Sequence, residues 1–167
     1  MRRSLRPESP FGASSMPLLI IGFGNVLRCD DGVGVRVAET LQDLLALPGV
    51  EILGVQQLTP ELMIPIARAE RVIFIDAARD GRPGELRRRE VVAQASGVFT
   101  HATTPEALLA DATSLYGSRA TGVLFSVTGE SFEFGDRLSP AVESAMAELV
   151  ATIENDAIRS VEDEFES

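Results

Sequence analysis

Three aspartates and the only histidine of the chain are the residues whose types could do hydrolytic chemistry. Asp30 and Asp31 stand side by side in the stretch IIGFGNVLRCDDGVG, Asp76 closes the apolar run RVIFID, and His101 precedes a helical stretch. Carboxylate oxygen and imidazole nitrogen suit zinc, nickel or manganese, and three protein ligands leave positions for water or substrate. Two carboxylates that share a proton can instead activate water without a metal. Both kinds of catalytic site are compatible with these residue types.

Short apolar runs, typical of strands, alternate along the chain with segments whose apolar residues recur at helical spacing. These predicted strands and helices position the three aspartates and the histidine. Strands are predicted at 17–22, 50–55, 71–76, 86–92 and 120–127, and helices at 32–47, from 59, at 103–115 and at 138–153. This order predicts an α/β fold with a parallel, twisted sheet between helices. Because ligands of such sheets bind beyond the carboxyl ends of the strands, we expect the acids and the histidine to meet in one crevice.

The glycines of the first stretch look like the start of a dinucleotide-binding motif, but the rest of that motif is missing. Gly22 and Gly24 match, whereas Leu27 occupies the position of the third glycine, and the helix begins only after Asp31. Acids at a helix N-terminus would also repel a pyrophosphate. We therefore interpret Gly22, Gly24 and Asn25 as a loop that shapes the crevice.

Each acid also has a structural interpretation. Asp30 is suited to cap the helix that starts near Gly32, which would leave Asp31 facing the crevice, and Asp30 remains the alternative ligand. Asp76 is also typical of an Asx turn after a strand. Cys29, the single cysteine, is interpreted as a small buried thiol.

Composition and charge narrow the class of protein. A chain of 167 residues with 45% hydrophobic and 24% charged residues is typical of one soluble globular domain. The formal net charge of −10 argues against nucleic acid and membranes as partners. A single cysteine suits the reducing cytoplasm. The predicted organisation is a disordered leader at 1–16, a single α/β catalytic domain at 17–153 and an acidic tail at 154–167.

Four stretches resemble the hydrogenase maturation proteases, the endopeptidases that process nickel–iron hydrogenase large subunits. The first, IIGFGNVLRCDDGVGVRVAETL, is close to the family pattern Gly-x-Gly-Asn-x-Leu-x-x-Asp-Asp/Glu-x-x-Gly. The others, in the expected order, are VQQLTPELMIPIARAERVIFIDA, THATTPEALLADATSLYG and GESFEFGDRLSPAVESAM. Together they lie within residues 17–153.

The resemblance implies a three-layer α/β/α sandwich with a twisted, mostly parallel five-stranded sheet. It implies an endopeptidase that removes the C-terminal extension of a hydrogenase large-subunit precursor after nickel insertion. Asp31, Asp76 and His101 match the family's metal-binding triad, and Asp31 and Asp76 are the expected catalytic acids. The metal would be nickel supplied by the substrate, or another divalent ion. A non-catalytic nickel-sensing chaperone and a small-molecule metallohydrolase are the alternative functions.

Overall fold

The computed structural model describes residues 16–95 and 103–166. The strands are β1 Met16–Phe23, β2 Val50–Val55, β3 Ala69–Ala78, β4 Leu86–Val91 and β5 Thr121–Thr128. The helices are α1 Val33–Leu44, α2 Met63–Arg68, α3 Pro105–Tyr116 and α4 Pro140–Phe165, and the 3-10 turns Cys29–Gly32 and Pro60–Leu62 precede α1 and α2. In this part of the chain, none of the helices has the length and hydrophobicity that crossing a bilayer requires.

All five strands form one sheet in the order β2-β1-β3-β5-β4. β1 pairs in parallel with β2 and β3, β3 pairs in parallel with β5, and β4 lies antiparallel to β5 at the edge. α1 and α4 pack on one face of the sheet, and α2 and α3 cover the other. The predicted three-layer α/β/α sandwich with a mostly parallel five-stranded sheet is confirmed.

The middle parts of β1 and β3, the two central strands, are apolar because helices cover both of their faces. Leu19 and Ile21 of β1 pack toward α2 and α3. Leu18 and Ile20 pack toward α1 and α4. In β3, Phe74 belongs to the core on the α2 and α3 side. Because side chains alternate along a strand, Asp76 is directed to that same side.

α4 continues well past the helix end predicted at Ile153 and ends at Phe165. Ala157 and Val161 are buried at helical spacing, so the apolar stripe of α4 extends into the segment predicted to be an acidic tail. The high content of acids conceals this stripe in the sequence. The described part of the segment is helix up to Phe165, so the helix end predicted at Ile153 is too early. At the other end, Met16 already belongs to β1, so the predicted leader ends one residue too late.

Candidate active site

The carboxyl ends of β1 and β3 form the edge at which the sequence predicts a crevice. These strands are neighbours, but the chain leaves β1 through α1 toward β2 and leaves β3 toward β4 and β5, on the opposite side. Open α/β sheets bind ligands at such a switch point. Asp31 lies in the turn between β1 and α1, and Asp76 lies near the end of β3. The sheet therefore brings two of the predicted site residues to one place.

Glycines let α1 begin in direct contact with these two strands. A Cβ atom on Gly22 would lie 1.9 Å from the carbonyl oxygen of Gly34, and one on Gly34 would lie 2.3 Å from the carbonyl oxygen of Ile75. The start of α1 therefore rests on the backbone of β1 and β3, which holds Asp31 beside Asp76. Gly22 itself is buried within β1 and serves this packing, and its predicted part in shaping the crevice stays a prediction.

The loop after β1 fixes the carboxylate of Asp31. The backbone N–H of Asn25 donates to Asp31 Oδ2 at 2.8 Å, and Asn25 Oδ1 accepts the N–H of Leu27 at 2.9 Å. Gly24 has φ +141°, and a Cβ atom there would lie 1.9 Å from the carbonyl oxygen of Asp31. Gly24 and Asn25 therefore form the turn that orients Asp31.

Gly24→Ala is expected to destabilise the protein by about 3 kcal/mol, since it combines an unfavourable φ with a backbone clash. Gly117→Ala is the matched control: Gly117 also has a positive φ, +66°, but a Cβ atom there meets nothing within 4 Å. The control should lose only about 1 kcal/mol. Urea unfolding of both variants measures the difference, and equal losses would contradict the close approach of residues 24 and 31.

Asp76 is a half-buried carboxyl whose surroundings oppose its charge. Burial raises the pKa of Asp76 to about 7, the nearby Asp31 adds to the rise, and the N–H of Ala77 and the charge of Arg79 partly oppose it. Asp76 Oδ1 accepts the N–H of Ala77, the next residue, at 2.8 Å. An Asx turn would instead use the N–H two residues on. A carboxyl that titrates near neutrality in a crevice is suited to transfer protons or to bind a cation.

Asp30 fastens the loop that follows β5. Its side chain is fully buried, and its two oxygens accept hydrogen bonds from that loop. The donors are the N–H groups of Glu130 (2.8 Å), Ser131 (3.0 Å) and Ser139 (2.7 Å) and the hydroxyl of Ser139 (2.8 Å). Burial opposes the ionisation of Asp30, but these hydrogen bonds outweigh it and lower the pKa of Asp30. Asp30 is therefore a buried anchor.

The prediction that Asp30 caps the helix is wrong. Gly32 occupies the cap position of α1, and within the described residues no side chain caps either α1 or the 3-10 turn before it. The N-terminus of α1 instead packs against strand ends. Both oxygens of Asp30 are engaged by the loop after β5, so Asp31 is the acid of the pair that acts on the pKa of Asp76.

The third predicted ligand, His101, lies outside the described residues, as does the whole stretch 96–102. Within residues 16–95 and 103–166, no group of three His, Cys, Asp or Glu side chains is arranged to hold a metal ion. The pair that is described, Asp31 and Asp76, supplies carboxylate oxygens, which divalent cations accept. Burial is the main cause of the raised pKa of Asp76, and a cation between the two acids would relieve the smaller part that comes from the charge of Asp31. The two acids therefore fit a divalent metal.

A cleft of about 530 Å³ opens beside Asp76, on the side of the sheet that faces α2 and α3. Leu124 and Ser126 of β5 line it, together with the ends of β3 and three successive arginines, residues 87–89 of β4. Its volume is that of a ligand-binding cleft. This cleft could not be predicted from the sequence, because it depends on the pairing of β4 with β5, which lie far apart along the chain. A ligand in the cleft would contact Asp76 directly.

Comparisons with known proteins agree with the arrangement of these elements. A family model for hydrogenase maturation proteases matches residues 35–156. The chain is similar to the hydrogenase 2 maturation protease of Escherichia coli K12, with 32% identity over 163 residues, 87% of this chain and 96% of that relative. The region matched by the family model includes Asp76 and begins just after the turn that carries Asp31.

Two solved structures are similar over most of their length. One is a [NiFe] hydrogenase maturation protease from Thermococcus kodakarensis KOD1, with TM-score 0.67 and 27% identity over 81% of this chain and 88% of that chain. The other is the hydrogenase maturating endopeptidase HybD from E. coli, with TM-score 0.66 and 27% identity over 86% of this chain and 93% of that chain. The sheet and helices described above are thus shared with these proteases.

Proposed function

We propose, from the premise that this chain belongs to the hydrogenase maturation protease family, that it removes the C-terminal extension of a nickel–iron hydrogenase large-subunit precursor after nickel insertion. As a member of that family the chain is an endopeptidase. The observation that supports the proposal best is the pair Asp31 and Asp76 at the switch point of the sheet, beside an open cleft. The proposed compartment is the cytoplasm, which the single cysteine suits.

Nickel enters this proposal as part of the substrate. Asp31 and Asp76 would hold the nickel ion of the precursor, with His101 as the third ligand, and another divalent ion would meet the same groups. Nickel accepts both carboxylate oxygen and imidazole nitrogen. The bound ion would orient the precursor and polarise the scissile carbonyl or a water molecule. Because the two acids lie close together, a cation also removes the unfavourable energy of their like charges.

Asp76 is suited to carry the proton of the reaction. If the pair acts without a bound ion, the carboxylate of Asp76, with a pKa of about 7, can take a proton from the water that attacks the scissile carbonyl carbon. The same proton can then pass to the amine nitrogen as the peptide bond breaks. Asp31, fixed by the N–H of Asn25, holds the second carboxylate in place. An aspartic-type pair and a metal-activated water both use these two side chains.

Incubation with nickel-loaded and nickel-free precursor tests the proposal, with intact mass as the readout. We expect the wild-type protein to release the C-terminal extension from the loaded precursor only. His101→Ala should leave the extension attached. Gln94→Ala is the control, because Gln94 is exposed and lies in the same segment between β4 and α3, and this variant should cleave at the wild-type rate.

Two results would contradict the proposal in different ways. Equal cleavage of loaded and nickel-free precursor would exclude nickel-dependent recognition. Tight binding of the loaded precursor without any cleavage would favour the alternative of a nickel-sensing chaperone. Full activity of His101→Ala would exclude His101 as a required ligand and leave the two aspartates as the site.

A further inference from the structure

Arg79, the first residue after β3, lies at the rim of the site. Its guanidinium carbon stands 4.0 Å from the centroid of the Phe132 ring, which is a cation–π contact. Arg79 lies three positions after Asp76, at the carboxyl end of the same strand. Arg79 therefore stands between the acids of the crevice and the loop after β5.

The backbone around Arg79 is held on both sides. The N–H of Gly129 donates to the carbonyl oxygen of Ala78 at 2.8 Å, and the hydroxyl of Thr128 donates to the carbonyl oxygen of Asp80 at 2.9 Å. These bonds join the end of β3 to the end of β5. The position of Arg79 is thus set before any ligand arrives, which lowers the entropic cost of binding one.

The stacking partner of Arg79 is fixed as well. Phe132 lies in the loop whose backbone N–H groups at Glu130, Ser131 and Ser139 donate to the buried carboxylate of Asp30. The ring therefore presents one face to the guanidinium from a loop that is anchored on both sides of it. A guanidinium stacked in this way keeps its N–H groups available in its own plane.

Within the part of the chain that the structure describes, Arg79 differs from the arginines of the cleft because no acidic side chain contacts it. Arg87 is paired with Asp80 and Glu85, and Arg89 is paired with Glu106. Over residues 16–95 and 103–166, no ion pair involves Arg79, and its side chain is exposed. Among the described residues, its donors therefore have no acidic acceptor and can meet a ligand that enters the crevice.

We propose that Arg79 is a substrate-binding residue that donates hydrogen bonds to a main-chain carbonyl oxygen of the precursor, beside the scissile bond. This inference rests on the proposed function. A carboxylate of the substrate would be repelled by Asp31 and Asp76, whereas a neutral carbonyl oxygen is not. An extended peptide presents carbonyl oxygens that need donors, and an arginine supplies charge-assisted ones. The bond holds the peptide against Asp76.

Steady-state kinetics with nickel-loaded precursor tests this role. We expect Arg79→Ala to raise KM about 10-fold or more while kcat changes less than about threefold, because a ground-state contact is lost. Arg79→Lys should restore part of the affinity, since it keeps the charge but not the planar fork. Phe132→Leu should raise KM by a smaller factor, because it removes only the stacking partner.

Arg82→Ala is the matched control, because it removes the same charge from an exposed position of the same loop. Its KM should equal the wild-type value. Equal KM values for Arg79→Ala and Arg82→Ala would overturn this inference but not the proposed function. A fall in kcat at unchanged KM for Arg79→Ala would do the same. A wild-type protein that leaves the loaded precursor intact would overturn the proposed function and this inference with it.

Discussion

Replacing Asp76 with asparagine is expected to abolish cleavage of the precursor and, at the same time, to make the folded protein more stable at neutral pH. Asparagine cannot take a proton from water and brings no negative charge to a metal. Loss of one general acid–base group slows an enzyme by about 100-fold or more. Asparagine does keep an oxygen that can accept the N–H of Ala77, so the local backbone should not change.

The gain in stability follows from the raised pKa of Asp76. The pKa is about 7 in the folded protein against an ordinary value of 3.8, so folding favours the protonated carboxyl. Its contribution to stability is fully present below the ordinary pKa and is lost as the pH rises through about 7. Above that pH the ionised carboxylate lowers the free energy of unfolding by about 4 kcal/mol, since each pKa unit corresponds to about 1.4 kcal/mol. Asp76→Asn has no such loss.

Urea unfolding at several pH values measures this effect. Asp76→Asn should exceed the wild-type protein by about 3 to 4 kcal/mol at pH 8 and by less than about 1 kcal/mol at pH 4. Asp80→Asn is a suitable control, because Asp80 is exposed and its bond from Arg87 lowers its pKa instead. A gain in stability that is the same at both pH values would contradict burial of an ionisable group as the cause.

Asp30→Asn, unlike Asp76→Asn, is expected to destabilise the folded protein. Its primary effect is on folding and not on the catalytic step. Both oxygens of Asp30 accept hydrogen bonds, so the amide group of asparagine would turn a donor toward other donors. Leaving buried donors without an acceptor costs about 1 to 3 kcal/mol each, and a loss of at least about 3 kcal/mol is expected. The variant should fold only weakly at neutral pH, with its loop after β5 loosened.

The neighbouring substitution Asp31→Asn gives the matched comparison, because Asp31 accepts a single described hydrogen bond, from Asn25. It should leave stability near the wild-type value and lose cleavage. The stabilisation that Asp30 provides belongs to its ionised form, since its folded pKa is lowered. It is present above the ordinary pKa and lost as the pH falls through the folded pKa, so the gap between wild type and Asp30→Asn should shrink in acid. Greater destabilisation by Asp31→Asn would contradict the roles assigned to the two acids.

The fold could be predicted because its signals are local. The central strands are short apolar runs, and the helices between them have regular apolar spacing, so the alternation of elements is visible in the sequence. The acid near the end of β3, and the glycines before the twin acids, indicated the edge at which the site lies. The resemblance to hydrogenase maturation proteases is confirmed by the family match over residues 35–156.

The parts that could not be predicted depend on contacts between distant segments. The hydrogen-bond partners of Asp30 lie more than ninety positions further along the chain, so no local sequence pattern predicts them. A carboxylate before a helix is most often a cap, so local reasoning favoured the wrong role. Likewise, the stacking of Arg79 on Phe132 and the buried positions in the last part of α4 depend on tertiary packing. The role of His101 stays a prediction.

The hydrogen bonds of Asp30 also determine when the site can form during synthesis of the chain. These bonds span separations of 100, 101 and 109 residues, so they cannot all form until the ribosome has released the chain beyond Ser139. Closing loops of this length is entropically unfavourable until the strands between them are paired. A nascent chain therefore carries both acids of the site long before it can hold them in place. These hydrogen bonds can all be made only after the segment through Ser139 has left the ribosome.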